Sequence, residues 1–210
     1  MSTITNAGGR ELAFNAYQNQ TVWMIGSGPS LSDMGDLRDL EGYTFGVNGT
    51  HKSDILLRPY DFYGVVEATA WSKYGKGPSD YYFCAVPSWS LVPGSEWFRF
   101  SAGPDMSTGE FNGIEDVPLE RLARAPVIYE MLQVVFWLGF QNVYLIGCEE
   151  TGSTTIQGTP HRDYGRDEIS KGNKTAAGVF AKHGRNLLNL TPSPALGFIP
   201  TGSYEEIVGS

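Results

Sequence analysis

Thr21-Val22-Trp23-Met24-Ile25-Gly26-Ser27-Gly28-Pro29-Ser30-Leu31 is an apolar run that ends in a glycine-rich turn. The apolar half reads as a buried strand. Gly26 and Gly28 let the backbone bend sharply with no Cβ in the way, and Pro29 presets the φ of a first helical turn. Ser27 and Ser30 are placed to cap exposed N–H groups there. A strand that feeds such a turn is a ready site for a phosphate or another anion. The turn therefore predicts an α/β fold that handles a nucleotide. No lysine follows in the P-loop position and the third glycine of a dinucleotide fingerprint is missing, so Walker-type NTPase and dinucleotide readings are excluded.

Working outward, Tyr43–Val47 reads as a second strand closed by Asn48-Gly49. Tyr63–Val66 and Tyr81–Val86 read as two more, the first with Glu67 at its carboxyl end. Leu31, Met34, Leu37 and Leu40 form a short amphipathic stretch between the first two strands, read as one helix or two turns. Pro126 to Gly139 is the clearest helix, apolar on more than one face. Asn142–Gly147 is another buried strand and delivers Cys148-Glu149 at its end. Thr175–His183 reads as a helix stopped by Gly184, and Asn186–Leu190 as a last strand leading into Thr191-Pro192-Ser193. Residues 87–125, with Trp89, Trp97, Phe98 and Phe100 among prolines and glycines, show no clean period and read as a long irregular excursion.

Strands alternating with helices give the expected class: α/β, a single modified Rossmann-like domain, with a mostly parallel sheet and helices on both faces. It spans residues 20–205 behind an N-terminal extension of residues 1–19. In such sheets ligands bind beyond the carboxyl ends of the strands. The polar residues gathered at those ends are Gly26, Ser27, Gly28, Pro29, Ser30, Asn48, Gly49, Glu67, Glu149, Thr191 and Ser193, and they form the predicted nucleotide site.

Composition narrows the partners. The chain has 210 residues, 41% hydrophobic and 18% charged, which is a globular balance. A formal net charge of −8 argues against general nucleic-acid binding by phosphate neutralisation, but not against a small phosphorylated ligand. Cys84 and Cys148 lie far apart without metal-ligand spacing and read as buried thiols. No apolar run is long enough for a membrane span, and residues 1–10 do not read as a secretory signal. A cytoplasmic protein is the expectation.

The polar loop Thr159-Pro160-His161-Arg162-Asp163-Tyr164 supplies a candidate base. A neutral imidazole takes a proton from an attacking hydroxyl near pH 7, and Asp163 is close in sequence to orient it. Arg162 and Arg166 are candidates to meet a phosphate. His51 is a second candidate base, and His183 reads as a helix C-terminal cation.

Gly26-Ser27-Gly28-Pro29-Ser30-Leu31, Asn48 after the second strand, Gly139–Cys148, His161 and the Asn189–Leu196 tail together resemble the MptE-like family, once known as domain of unknown function 115. The family is named for archaeal 6-hydroxymethylpterin diphosphokinases. The layout is also similar to the small bacterial sialyltransferases of glycosyltransferase family 42, which use CMP-sialic acid on a modified Rossmann fold. The resemblance implies a nucleotide-dependent transferase using a CMP-type nucleotide-sugar donor. His161 would be its base, Tyr164 would steady the departing phosphate, and a glycan or other hydroxyl compound would be the acceptor. Those sialyltransferases have Asn where this chain has Ser27, and paired tyrosines where Tyr164 is the evident one. Glu67 and Glu149 stand where the MptE-like pattern more usually has Asp, which keeps Mg²⁺ or ribose contact open. The alternatives are an ATP- and Mg²⁺-dependent diphosphokinase and a non-catalytic nucleotide-binding module. The aromatic 87–125 stretch is a candidate contact between copies in a homo-oligomer.

Overall fold

A computed structural model describes residues 1–34, 37, 40–52, 58–66, 68–85, 94–105, 108–124, 126–149, 166–191 and 197–209. Its centre is an eight-stranded sheet in which every pairing is parallel, in the order β10-β9-β3-β4-β5-β6-β7-β8. The strands are β3 (Thr21–Ile25), β4 (Tyr43–Val47), β5 (Tyr60–Val65), β6 (Ser79–Ala85), β7 (Trp97–Asp105), β8 (Arg121–Arg124), β9 (Asn142–Ile146) and β10 (Asn186–Asn189). The chain enters at β3, steps outward to β8, returns through helix α2 (Val127–Leu138) to β9 on the other side of β3, and ends the sheet at β10. This is the Rossmann-like logic, with one reversal of direction at β3. The sheet is wholly rather than mostly parallel.

A parallel sheet needs both faces covered, and alternation along each strand shows how. Val22 and Met24 join Phe45, Phe62, Phe83 and Phe98 in one core, under α2 and helix α3 (Arg166–Lys182). Trp23 and Ile25 join Tyr63, Cys84, Trp97 and Ile146 in the other. Short elements cover that second face: the 3₁₀ turn Pro29–Asp33 with Leu31, helix α1 (Ala68–Tyr74) with Ala70 and Trp71, and helix α4 (Tyr204–Val208) with Tyr204 and Ile207. On the first face, ring stacking runs across neighbouring strands from Phe45 to Phe83 (5.6 Å) and from Phe83 to Phe98 (5.4 Å).

Three expectations are corrected. The 87–125 stretch holds two strands, β7 and β8, and Trp97, Phe98 and Phe100 are at most 1% exposed. These three aromatics are core; Trp89 lies outside the described residues. Pro104 had hidden β7, because a proline breaks a strand pattern. It is tolerated where the β7–β8 register shifts between Ala102 and Asp105. Helix α3 begins at Arg166 rather than Thr175, since Ile169, Asn173, Ala176 and Phe180 bury one stripe at helical spacing. Where one helix or two turns are expected over 31–40, the described residues show a 3₁₀ turn that begins earlier, over Pro29–Asp33, and the buried Leu37 and Leu40 beyond it.

Residues 1–19 are part of the same body. Strands β1 (Thr3–Thr5) and β2 (Glu11–Ala13) pair antiparallel, and Ile4 and Leu12 enter the first core. Helix α2 stops at Gly139, whose φ of +96° suits glycine. Its last carbonyls are then satisfied from outside the helix: Asn15 N–H donates to Trp137 O (3.0 Å) and Tyr17 N–H to Leu138 O (2.8 Å). The Arg185 guanidinium donates to Phe136 O and lies 4.0 Å over the Phe136 ring.

Candidate functional site

The reversal of strand order falls between β3 and β9, so the segments leaving them meet at the carboxyl edge of the sheet. Gly26 N–H donates to Ile146 O (2.9 Å) and Gly28 N–H to Gly147 O (2.7 Å), which locks the glycine-rich turn onto the end of β9. Ser30 N–H donates to Glu149 Oε1 at 2.6 Å, and Leu31 N–H to Gly28 O at 3.3 Å. The backbone N–H groups of Gly26, Gly28, Ser30 and Leu31 are therefore spent within the protein, and the group lying on the turn is the chain's own carboxylate. Gly28 is needed for that approach, because a Cβ there would sit 1.4 Å from Glu149 Oε2. A phosphate oxygen some 4 Å from this carboxylate would be repelled by about 4 kcal/mol at an effective dielectric of 20. The turn is thus shaped around Glu149 and does not stand open as a phosphate cradle.

The next strand end is tied into the same place. Cys148 N–H reaches Thr191 Oγ1 at 3.5 Å, and Thr191 N–H donates to Asn189 Oδ1 at 3.0 Å. Glu149, Asn189 and Thr191 are all 9% exposed or less. Among the described residues nine buried side-chain polar atoms lack a hydrogen-bond partner, and four of them stand at the carboxyl ends of strands: Ser30 Oγ, Glu149 Oε2 and Asn189 Nδ2 beside β3, β9 and β10, and Asn48 Oδ1 after β4. Buried polar groups are nearly always paired, so a cluster of orphans marks a place built for something besides the fold. Asn48 ends β4 in the left-handed region (φ 49°), with its carbonyl accepting from the Tyr63 hydroxyl.

Beside the turn lies a cavity of about 660 Å³, between the Pro29–Asp33 turn, the end of β10 and α4. Ser30 and Thr191 belong to both the strand-end cluster and its wall. Asp33, Ser203, Tyr204 and Glu205 complete its polar lining. Asn189 is one of the polar strand-end residues the sequence offers, whereas Asp33 and the α4 residues are not read there as site residues. For α4 a signal was present: Ser203 and Glu206 have capping-box spacing, and the Ser203 hydroxyl accepts from Glu206 N–H at 3.3 Å.

Of the predicted site residues, the structure brings Gly26, Ser27, Gly28, Pro29, Ser30, Glu149 and Thr191 to the ends of β3, β9 and β10, with Asn48 and Gly49 at the end of β4. Glu67, His161, Tyr164 and Ser193 lie outside the described residues, as do Arg162 and Asp163. His51 is held in place: its Nε2 donates to Tyr74 O at 3.0 Å, and its ring meets Tyr63 edge-on. Burial lowers its pKa. Cys84 is a free buried thiol whose pKa burial pushes up to about 12, which removes it as a nucleophile. Among the described residues no three His, Cys, Asp or Glu side chains cluster as a metal site. No helix among them is long and apolar enough to cross a membrane. Compared with protein-family models, curated proteins and solved structures, the chain matches none.

Proposed function

We propose that this protein is a nucleotide-dependent transferase, and that it moves a sugar from a nucleotide-activated donor to a hydroxyl acceptor in the manner of the sialyltransferase-like group. The observation that supports this most is that, among the described residues, the partnerless buried atoms Ser30 Oγ, Glu149 Oε2 and Asn189 Nδ2 lie by the reversal of strand order, beside a cavity of about 660 Å³. Switch points of parallel sheets are where nucleotides bind, and that volume suits a small molecule. The resemblance of Gly26–Leu31, Asn48 and Gly139–Cys148 to the MptE-like family agrees with the position. In this reading an acceptor hydroxyl attacks the anomeric carbon of the donor sugar, His161 takes the hydroxyl proton, and the bond to the nucleotide phosphate breaks.

A thermal-shift screen of CMP, CMP-sugars, UDP-sugars and ATP, with and without Mg²⁺, tests it. Stabilisation by a pyrimidine nucleotide or its sugar, unchanged by chelation, is expected. His161→Ala should then abolish transfer while binding is kept. A response only to ATP with Mg²⁺ would transfer the assignment to the diphosphokinase reading, for which the partnerless Glu149 Oε2 is the supporting feature. No response to any nucleotide removes both.

A further inference from the structure

Resting on the nucleotide reading above, we propose that the cavity between the Pro29–Asp33 turn and α4 binds the nucleoside half of the ligand, base and ribose, and holds it without any contact to phosphate. The lining has the chemistry of a ribonucleoside. The Tyr204 ring, held edge-on against Trp23 at 5.9 Å, gives an aromatic wall on which a base can rest, with Met34, Leu190 and Val208 as apolar neighbours. Ser30 and Thr191 supply hydroxyls, and the carboxylates of Asp33 and Glu205, the latter already accepting from the Ser203 hydroxyl at 2.8 Å, line the cavity as acceptors for ribose O–H groups.

Charge selects against the other half of a nucleotide. Among the described residues the lining contains Asp33 and Glu205 but no lysine or arginine, and the Glu149 carboxylate backs the Ser30 wall. A phosphate has only acceptor oxygens, so it would meet like charge on two sides. A ribose hydroxyl both donates and accepts, and it can pair with a carboxylate and with the partnerless Ser30 Oγ. Asn189, 1% exposed with its Nδ2 unpaired, adds a donor behind Thr191. The phosphate and whatever it carries would then project out of the cavity.

The test is a set of dissociation constants for the whole chain, by calorimetry at two salt concentrations. Cytidine, uridine and adenosine are compared with their monophosphates and their 2′,3′-dideoxy forms. The expected result is a base-dependent nucleoside affinity that a phosphate improves by no more than about threefold. Loss of both ribose hydroxyls, or Asp33→Asn, should weaken it roughly tenfold, as for a hydrogen bond to a charged group. Tyr204→Leu should weaken it too, while Tyr204→Phe keeps it, which separates loss of the ring from loss of the fold. Monophosphates binding ten times or more tighter than nucleosides, with Asp33→Asn and the dideoxy forms unchanged, would overturn this inference and leave the nucleotide reading standing. No binding by nucleoside or nucleotide overturns both.

Discussion

At the scale of single residues, Gly28 and Glu149 form one unit. Glu149 reaches across the turn to Ser30 N–H only because Gly28 has no side chain. In Gly28→Ala the new Cβ would collide with the carboxylate and lie 2.8 Å from Gly147 O. Overpacking of this kind costs about 1–3 kcal/mol. Glu149→Ala should recover part of that loss in the double variant and leave the share owed to Gly147 O. Urea denaturation of the two single variants and the double measures the coupling, expected at ~1 kcal/mol or more. Strict additivity would show that the contact does not shape the turn. His51 gives a pH-dependent counterpart. Burial lowers its pKa below the ordinary value of 6.5, so it stays neutral in the folded chain at pH values where the unfolded chain takes up a proton. Its contribution is therefore whole above about pH 6.5 and declines as pH falls toward the folded pKa. The unfolding free energy of the parent should fall between pH 7.5 and 5.5 by more than that of His51→Gln; parallel curves would remove His51 as the cause.

At the scale of elements, Gln133 shows how a helix can finish a sheet. It is fully buried on α2 and works as a one-residue substitute for a ninth strand. Its Oε1 accepts from Ala123 N–H (2.8 Å) and Asn112 N–H (3.1 Å), and its Nε2 donates to Ala123 O (3.1 Å). The edge strand β8 is thereby closed against further pairing. Gln133→Met keeps the volume but leaves the buried N–H and C=O of Ala123 unpaired, at about 1–3 kcal/mol for each, while the part-buried Asn112 N–H can turn to water. A loss of ~2–5 kcal/mol, with a tendency to associate through β8, is expected from denaturation and light scattering. This bond network also explains what the sequence concealed. β3, β4, β9 and α2 were legible because their apolar periods are uninterrupted and their ends carry glycine or proline. β8 was not, because Arg121 and Arg124 flank only two apolar residues and a glutamine from another element completes it. Likewise the positions Gly26–Ser30, Glu149 and Thr191 could be read as strand ends. That Glu149 fills the turn could not, since it depends on a contact between residues 119 positions apart.

At the scale of the whole molecule, the question is whether residues 1–19 are an appendage or part of one cooperative body. As sequence they read as an extension, being polar, short of apolar period and ahead of the first strong strand. In the structure they do three things for the fold. Ile4 and Leu12 enter the main core, at about 1.5–3 kcal/mol for each fully buried aliphatic side chain. Tyr17 stacks on Phe140 at 5.0 Å and packs edge-on to Tyr43 and Phe62, joining the loop before β9 to β4 and β5. Asn15 and Tyr17 also supply N–H donors to the last carbonyls of α2, the helix that carries the chain back to the switch point. Without them those carbonyls lose partners at the one connection that creates the candidate site. The combined cost reaches the ~5–15 kcal/mol by which a domain is stable at all. A chain of residues 20–210 should therefore lose its cooperative thermal transition and its nucleotide response together. Ile4→Ala in the full chain should only lower the midpoint. If the truncated chain instead melts sharply at the parent's midpoint, the α2 terminus is satisfied by other means and residues 1–19 stand apart from the domain.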